Sequence, residues 1–190
     1  MAYFSSVTHS IISCLVLMFL LFASSSHASN KVVDVNVICK QALNSSFCLN
    51  VLNSKPGGAK GADLITLAQY TIDVVHSNLT NTINLIKTLI AQNRNDKKAE
   101  DYYENCLTVF AGKMGTLPNI EKSQESLKKG DYQSVAFDAT SCRIGITVCL
   151  DEMNPKGPSY DDKSKLPQYV EVLDQVSYMM SLLARFLMGK

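Results

Sequence analysis

The sequence has no tryptophan, and only three of its 190 residues are histidine. It contains no His-x-x-His and no Cys-x-x-Cys pair, so the ligand spacings of a zinc site are missing. The Gly-x-Ser-x-Gly, P-loop and Gly-x-Gly-x-x-Gly motifs are also missing. Neighbouring carboxylates such as Asp151-Glu152 and Asp161-Asp162 are typical of solvated positions. We therefore expect no metal, no cofactor and no catalytic residues, and we predict that the protein is not an enzyme.

Charge is scarce and evenly balanced. Eighteen Lys and Arg residues face seventeen Asp and Glu residues, which gives a formal net charge of +1, and no basic cluster stands out. This balance argues against a nucleic-acid-binding protein. The hydrophobic fraction of 46% favours a folded chain, and the length suffices for one domain with a sizeable core.

Only one long apolar run is present, from Ile11 to Ala23. Ser26 and Ala28 follow it with the spacing of a small-x-small cleavage site. The run is short for a membrane-spanning helix. We therefore predict a secretory signal peptide over residues 1–28 and a soluble, secreted mature domain over residues 29–190.

The predicted secretion determines how the cysteines and two short motifs are interpreted. Five cysteines follow the predicted leader: Cys39, Cys48, Cys106, Cys142 and Cys149. An odd number in an oxidising compartment predicts two bridges and one remaining thiol, or an intermolecular bridge. Asn44-Ser45-Ser46 and Asn78-Leu79-Thr80 match the acceptor pattern for N-glycosylation.

The periodicity of apolar residues is helical throughout. No segment alternates with a period of two, and no Asn-Gly hairpin turn occurs. Two short helices around Cys39 and Cys48 predict an α-hairpin over residues 29–55, clasped by a bridge between those cysteines. Longer helical patterns over residues 62–93, 99–129, 131–153 and 165–187 predict a bundle within residues 60–190. The fold class is therefore all-α, an up-down-up-down four-helix bundle with an N-terminal hairpin extension.

Each long pattern carries an apolar seam with gaps of three and four residues. The four seams are Ile72, Val75, Leu79, Ile83, Ile86 and Ile90; Tyr103, Cys106, Phe110, Met114 and Leu117; Val135, Ala139, Cys142, Ile146, Cys149 and Met153; and Val170, Leu173, Val176, Met180, Leu183 and Leu187. Pro118 predicts a bend near Leu117, with the helix resuming at Asn119. Asp131, after Gly130, is a candidate helix N-cap.

The third seam leaves the cysteine pairing open. Cys142 and Cys149 lie seven residues apart on one helix face, about 10 Å from each other, which is too far for a mutual bridge. From geometry alone, either of them could pair with Cys106. The one that remains would act as a buried hydrophobic residue.

Several of these features occur together in a known family. They are Cys39-Lys40-Gln41 with Phe47-Cys48, Asp63 to Ala68 at the start of the long helix, Glu104-Asn105-Cys106, Lys129-Gly130-Asp131-Tyr132, and Cys149. In this order they resemble the plant invertase and pectin methylesterase inhibitors over essentially the whole mature chain. The resemblance implies a four-helix bundle with an α-hairpin, bridges Cys39–Cys48 and Cys106–Cys149, and a free Cys142.

The family divides by target. One branch resembles inhibitors of pectin methylesterase that form a one-to-one complex over the enzyme's pectin-binding cleft. The other inhibits acid invertases, partly through Pro-Lys-Phe just after Gly-Asp. This chain has Tyr132-Gln133-Ser134 at that place, so the resemblance favours the pectin methylesterase branch. It makes Asp131, Tyr132, Gln133 and Ser134 the candidate enzyme contacts.

Three alternatives stay open at this point. They are inhibition of cell-wall or vacuolar acid invertase, a family member without inhibitory activity, and a carrier for a small apolar ligand. The expected location is the apoplast or cell wall, with the vacuole as the alternative. No nucleic acid and no membrane is expected as a partner of the mature chain.

Overall fold

The computed structural model describes residues 32–150 and 160–189. The predicted leader, Met153 and the carboxylates Asp151-Glu152 lie outside these residues. The regular structure of the described part is helical, apart from one isolated bridge between Val32 and Asp63. The helices are α1 (Val35–Cys39), α2 (Ser45–Asn53), α3 (Leu64–Gln92), α4 (Lys97–Ala111), α5 (Thr116–Lys128), α6 (Tyr132–Cys149) and α7 (Leu166–Leu187). The predicted all-α bundle with an N-terminal hairpin is confirmed.

The hairpin consists of α1 and α2. Asp34 caps α1 by accepting the N–H of Asn36, and Asn44 caps α2 by accepting the N–H of Phe47 at 3.0 Å. A disulfide joins Cys39 at the end of α1 to Cys48 in α2, with the two Cα atoms 5.5 Å apart. Both cysteines are buried, as are Ile38 in α1 and Leu52 in α2, so the bridge lies within the apolar core of the hairpin.

The longest helix, α3, runs for 29 residues without glycine or proline. It begins at Asp63, whose carboxylate accepts the N–H of Thr66 at 2.7 Å. The predicted seam from Ile72 to Ile86 is buried. In the last turn the buried residue is Leu89, and Ile90 is only half-buried. At 1.5 Å per residue, α3 extends for about 44 Å, and it packs against α4, α5 and α7.

The second long helix predicted from the sequence, over residues 99–129, differs from the structure. We expected one helix with a bend near Leu117, but α4 ends at Ala111 and a separate helix, α5, begins at Thr116. A Cβ atom on Gly112 would lie 2.5 Å from the Thr108 carbonyl oxygen, so only glycine fits the break. Pro118 lies in the first turn of α5, where its missing N–H is not needed. The proline therefore starts a helix here and does not bend one.

The break also changes the exposure of the predicted seam. Tyr103, Cys106 and Phe110 of α4 are buried, as expected. Met114, predicted to continue the seam, lies between the two helices and is 97% exposed. The prediction for Met114 was wrong because helical periodicity does not continue through residues 112–115.

Helix α6 lies between α5 and α7 and also contacts α4. Its seam is buried throughout the described part, from Val135 to Cys149. Gly145 on the same helix is buried as well. A Cβ atom there would lie 3.0 Å from Thr116 Oγ1 and 3.1 Å from Val109 Cγ1, so a larger residue would force these neighbours to shift. A second disulfide joins Cys106 of α4 to Cys149 at the end of α6, with Cα atoms 4.5 Å apart.

The last helix, α7, closes the bundle against α3 and α6. Pro167 lies in its first turn, as predicted. Its seam is buried from Val170 to Leu183, and Leu187 in the last turn is half-buried. One continuous core therefore connects the long helices, and each of them, α6 included, presents its opposite side to solvent.

Candidate functional site

The turn between α5 and α6 fixes how α6 begins. Gly130 has a φ of +75°, and its N–H donates to the Leu127 carbonyl at 3.1 Å. The N–H of Asp131 donates to the Ser126 carbonyl at 2.9 Å. These two bonds form a Schellman motif, in which glycine is the residue that adopts the left-handed conformation without strain. The end of α5 therefore places Asp131 directly at the start of α6.

Asp131 is the N-cap of α6. One of its carboxylate oxygens accepts the N–H of Ser134 at 3.0 Å, and the other accepts the Ser134 hydroxyl at 2.6 Å. The Ser134 hydroxyl, followed by its backbone N–H, holds the pKa of Asp131 below its ordinary value of 3.8. Asp131 is exposed, so the first turn of α6 presents a charged, ordered carboxylate to solvent.

The four residues singled out from the sequence lie together in this first turn. Gln133 is exposed, like Asp131, whereas Tyr132 and Ser134 are half-buried. Tyr132 packs against the core with part of its ring, and Ser134 is held by Asp131. The turn is therefore a small polar surface on a rigid support.

Helix α6 continues outward from this turn with a row of exposed side chains. Gln133, Phe137, Thr140 and Ile144 follow one another at gaps of four, three and four residues, so they share one face. Phe137 is 68% exposed and Ile144 is 56% exposed. We call these four residues the outer stripe. It carries no charged residue, although it faces solvent.

Sequence reasoning missed Phe137 and Ile144. The signal was present, since two large apolar residues lie seven positions apart and off the seam of α6. Helical spacing alone does not distinguish an exposed apolar residue from one that packs against a neighbouring helix. The structure assigns them to the outside because α5 and α7 already cover the other face.

A groove of about 420 Å³ lies beside the outer stripe, where α6 faces the break between α4 and α5. It contains small and apolar side chains together with a few polar ones. Its lining includes Val109, Gly112, Met114, Gly115, Ser141, Ile144, Gly145 and Val148. Ile144 belongs to both features, so the groove extends the apolar surface of the stripe towards the exposed Met114.

Two carboxylates anchor α6 to its neighbours. Asp138 accepts the Ser123 hydroxyl of α5 at 2.8 Å, and partial burial raises the pKa of Asp138 above 3.8. Asp174 of α7 accepts Arg143 Nε at 2.7 Å. The Arg143 guanidinium also lies over the ring of Tyr178, 5.1 Å from its centroid. These contacts hold α6 at a defined rotation, which keeps the outer stripe outward.

Cys142 lies on the opposite, buried side of α6. Its sulfur is unbonded to other cysteines and accepts the Ser177 hydroxyl at 3.2 Å. Burial raises the pKa of the Cys142 thiol to about 12. The thiol is therefore protonated at physiological pH and is inaccessible, so it does not contribute a nucleophile to the surface.

The described residues hold neither a cluster of metal ligands nor a helix that could span a membrane. In residues 32–150 and 160–189, no three histidine, cysteine or carboxylate side chains come together as metal ligands would. None of the helices in this part of the chain combines the length and the apolar character needed to cross a membrane. The first turn of α6, the outer stripe and the adjacent groove combine polar groups with exposed apolar side chains, which suits contact with another molecule.

The chain is similar to a known plant family, to named relatives and to proteins whose crystal structures are known. A family profile described as "Plant invertase/pectin methylesterase inhibitor" matches residues 33–181. "Pectinesterase inhibitor 1" of Arabidopsis thaliana is 30% identical over 137 residues, which cover 72% of this chain and 73% of that protein. "Pectinesterase inhibitor" of Actinidia deliciosa is 30% identical over 124 residues, or 65% of this chain and 63% of that protein.

Among solved structures, the crystal structure of mutant form A of a pectin methylesterase inhibitor from Arabidopsis shares the fold. It aligns with a TM-score of 0.66 and 22% identity, over 80% of this chain and 95% of that one. The profile match covers well over half of the sequence and includes both disulfides and the first turn of α6. The chain therefore belongs to the plant invertase/pectin methylesterase inhibitor family.

Proposed function

We propose that this protein is a secreted inhibitor of pectin methylesterase, which binds the enzyme non-covalently in a one-to-one complex and blocks its pectin cleft. The observation that carries the proposal is the sequence at the start of α6. Gly130-Asp131 is followed there by Tyr132-Gln133-Ser134 and not by the Pro-Lys-Phe of the invertase branch. The relatives named pectinesterase inhibitors support the same target.

Inhibition by occlusion suits the architecture. A stable protein interface buries about 800 Å² on each partner, which one face of a helical bundle can supply. Helix α6 is anchored at both ends, because a disulfide fixes its end at Cys149 and the Asp131 cap fixes its start. A preorganised surface loses little conformational freedom on binding, so more of the interaction energy remains as affinity.

The proposed contact surface is the first turn of α6 together with the outer stripe. Asp131 offers a carboxylate that Ser134 already orients, Gln133 offers an exposed amide, and Phe137 and Ile144 offer exposed apolar side chains. Exposed aromatic residues are typical anchors of protein interfaces. Since all of them lie on α6, one rigid element would present the whole set to the enzyme.

The proposal includes a secretory route. Residues 1–28 would be removed as a signal peptide, and residues 29–190 would act in the apoplast or cell wall. Two disulfides support this route, since such bonds form and persist in oxidising compartments.

The test is a side-by-side titration of the oxidised mature chain against a plant pectin methylesterase and an acid invertase. We expect loss of methylesterase activity alone, with saturation at one inhibitor per enzyme. Loss of invertase activity alone would contradict the proposal and would mean that Pro-Lys-Phe is dispensable. A chain that leaves both enzymes active would be a family member without inhibitory activity.

A further inference from the structure

The first acceptor motif, Asn44-Ser45-Ser46, lies at the turn of the hairpin. Asn44 is exposed, and its side-chain oxygen caps α2 by accepting the N–H of Phe47 at 3.0 Å. An N-linked glycan attaches to the other atom of the amide, Nδ2. The cap and the glycan therefore use different atoms, and a sugar on Asn44 leaves the start of α2 intact.

The second acceptor motif, Asn78-Leu79-Thr80, has different surroundings. Asn78 lies in the middle of α3 and is half-buried, and its neighbour Leu79 belongs to the core. Its Nδ2 donates to the Val74 carbonyl at 2.8 Å, so the amide lies back along its own helix. To project a sugar into solvent, the side chain would have to leave Val74 and change rotamer beside a packed face.

We propose that Asn44 carries an N-linked glycan in the secreted protein and that Asn78 does not. The glycan would begin next to Leu43, which is 54% exposed, on a hairpin where Val37 is 47% exposed. A hydrated sugar at this position shields apolar side chains that no described residue covers fully.

The glycan is compatible with the proposed inhibition. Asn44 belongs to the hairpin, whereas the proposed enzyme contacts belong to α6. The inference rests on the secretory route of the proposed function but not on the identity of the inhibited enzyme. The two can therefore be tested separately on the same preparation.

The experiment uses the full chain expressed in plant cells, and it collects the protein from both the medium and the cell extract. Removal of N-glycans with a plant-specific glycosidase, followed by peptide mapping by mass spectrometry, gives the occupancy of each asparagine. Ser46→Ala is the decisive variant, because it destroys the first motif while it keeps Asn44 as the cap of α2. Thr80→Ala destroys the second motif and is the matched control.

We expect a mass shift of one glycan for the original chain and for Thr80→Ala, and none for Ser46→Ala. Ser46→Thr keeps the motif and should keep the glycan. A thermal melt monitored by circular dichroism should show that Ser46→Ala folds like the original chain, so loss of the glycan there reports on the motif.

Three results would overturn the inference. A glycan on Asn78, with or without one on Asn44, would show that the local geometry of α3 does not exclude it. A secreted chain without a glycan would overturn the site on Asn44 and leave the secretory route intact. An unglycosylated chain retained in the cytosol would overturn both. Inhibition of pectin methylesterase, measured on the same samples, fails or succeeds independently of these outcomes.

Discussion

The two faces of α6 have opposite relations to solvent. Along the inner seam, from Val135 to Cys149, the side chains are at most 6% exposed, whereas Phe137 and Ile144 on the outer stripe are 68% and 56% exposed. Both faces carry large apolar residues at helical spacing. Burial explains the inner set, since it supplies the free energy of folding. Packing does not explain the outer set, and the proposed function gives those residues a role as contacts with the enzyme.

The largest effect should come from the disulfide at the end of the seam. The double variant Cys106→Ala/Cys149→Ala opens a connection with a sequence separation of 43, and loop-closure entropy predicts a loss of about 4 kcal/mol in the free energy of unfolding. The variant Cys39→Ala/Cys48→Ala opens a separation of only 9, for which the predicted loss is about 2.5 kcal/mol. Urea denaturation of both variants measures the two losses. The reverse order would contradict the assignment of the stronger constraint to the bundle.

A pair of isoleucines tests the two faces directly. Ile146 on the seam is 6% exposed, and Ile146→Ala should lower the free energy of unfolding by about 2–4 kcal/mol. Ile144 is two positions away on the outer stripe, and Ile144→Ala should change it by no more than about 0.5 kcal/mol. The inhibition constant for pectin methylesterase should respond in the opposite way and rise chiefly for Ile144→Ala. Equal effects of the two variants on both measurements would remove the distinction between the faces.

Phe137 should be an anchor of the complex. A few anchor residues carry most of the binding energy of an interface, and truncation of an anchor costs about 2 kcal/mol or more, so Phe137→Ala should weaken inhibition by at least about tenfold. Tyr169 on α7 is an exposed aromatic residue that does not belong to the stripe, and Tyr169→Ala is the matched control. Neither variant should shift the melting temperature by more than about 3 °C. An unchanged inhibition constant for Phe137→Ala would exclude the outer stripe from the interface.

The smallest effects should be on the pH dependence of stability, which should differ in direction between Asp138 and Asp131. Partial burial raises the pKa of Asp138, so the folded state binds its proton more tightly than the unfolded chain does. Stability contributed by Asp138 therefore falls as the pH rises from near its ordinary pKa of 3.8 through the raised value. Asp138→Asn removes this dependence and keeps an oxygen for Ser123. At low pH the Asp138→Asn variant and the original chain should melt at the same temperature. As the pH rises, the melting temperature of the variant should increase relative to that of the original chain.

Asp131 should show the opposite dependence. Its pKa is lowered by Ser134, so the stability it contributes is present above the ordinary value of 3.8 and is lost as the pH falls through the lowered value. Asn also caps helices, so Asp131→Asn keeps the cap and removes only the charge. The original chain should melt above this variant at moderately acidic pH, and the two should converge at lower pH. Parallel curves for both variants would contradict the two pKa directions.

Much of the fold could be predicted from spacing alone. The hairpin, α3, α6 and α7 begin and end close to the predicted residues, because their caps and prolines are local signals. The break between α4 and α5 was misjudged, since Pro118 was interpreted as an interruption when it occupies a first turn. Apolar spacing continued to Met114 although the helix did not. Local periodicity cannot show that the Thr108 carbonyl leaves no room for a side chain at position 112.

The site was predicted only in part. Gly130 and Asp131 have local signatures, and the structure forms the turn and the cap at those positions. The exposure of Phe137 and Ile144 depends on which face α5 and α7 cover, which is a tertiary property. The close approach at Gly145 likewise depends on Thr116 and Val109, which are distant in sequence. Their roles in contacts with the enzyme stay predictions.

The buried thiol of Cys142 makes the molecule a reporter of its own opening. Its sulfur lies between α6 and α7 and receives the Ser177 hydroxyl, and burial keeps it protonated. A thiol-specific reagent can therefore reach it only in molecules where these two helices have separated. When the helices close again faster than the reagent reacts, the rate of labelling under native conditions reports the equilibrium between the closed and the open bundle, with no denaturant and no engineered cysteine. Cys142, which does not react in the closed state, thus records the opening of the bundle as a covalent label that accumulates with time.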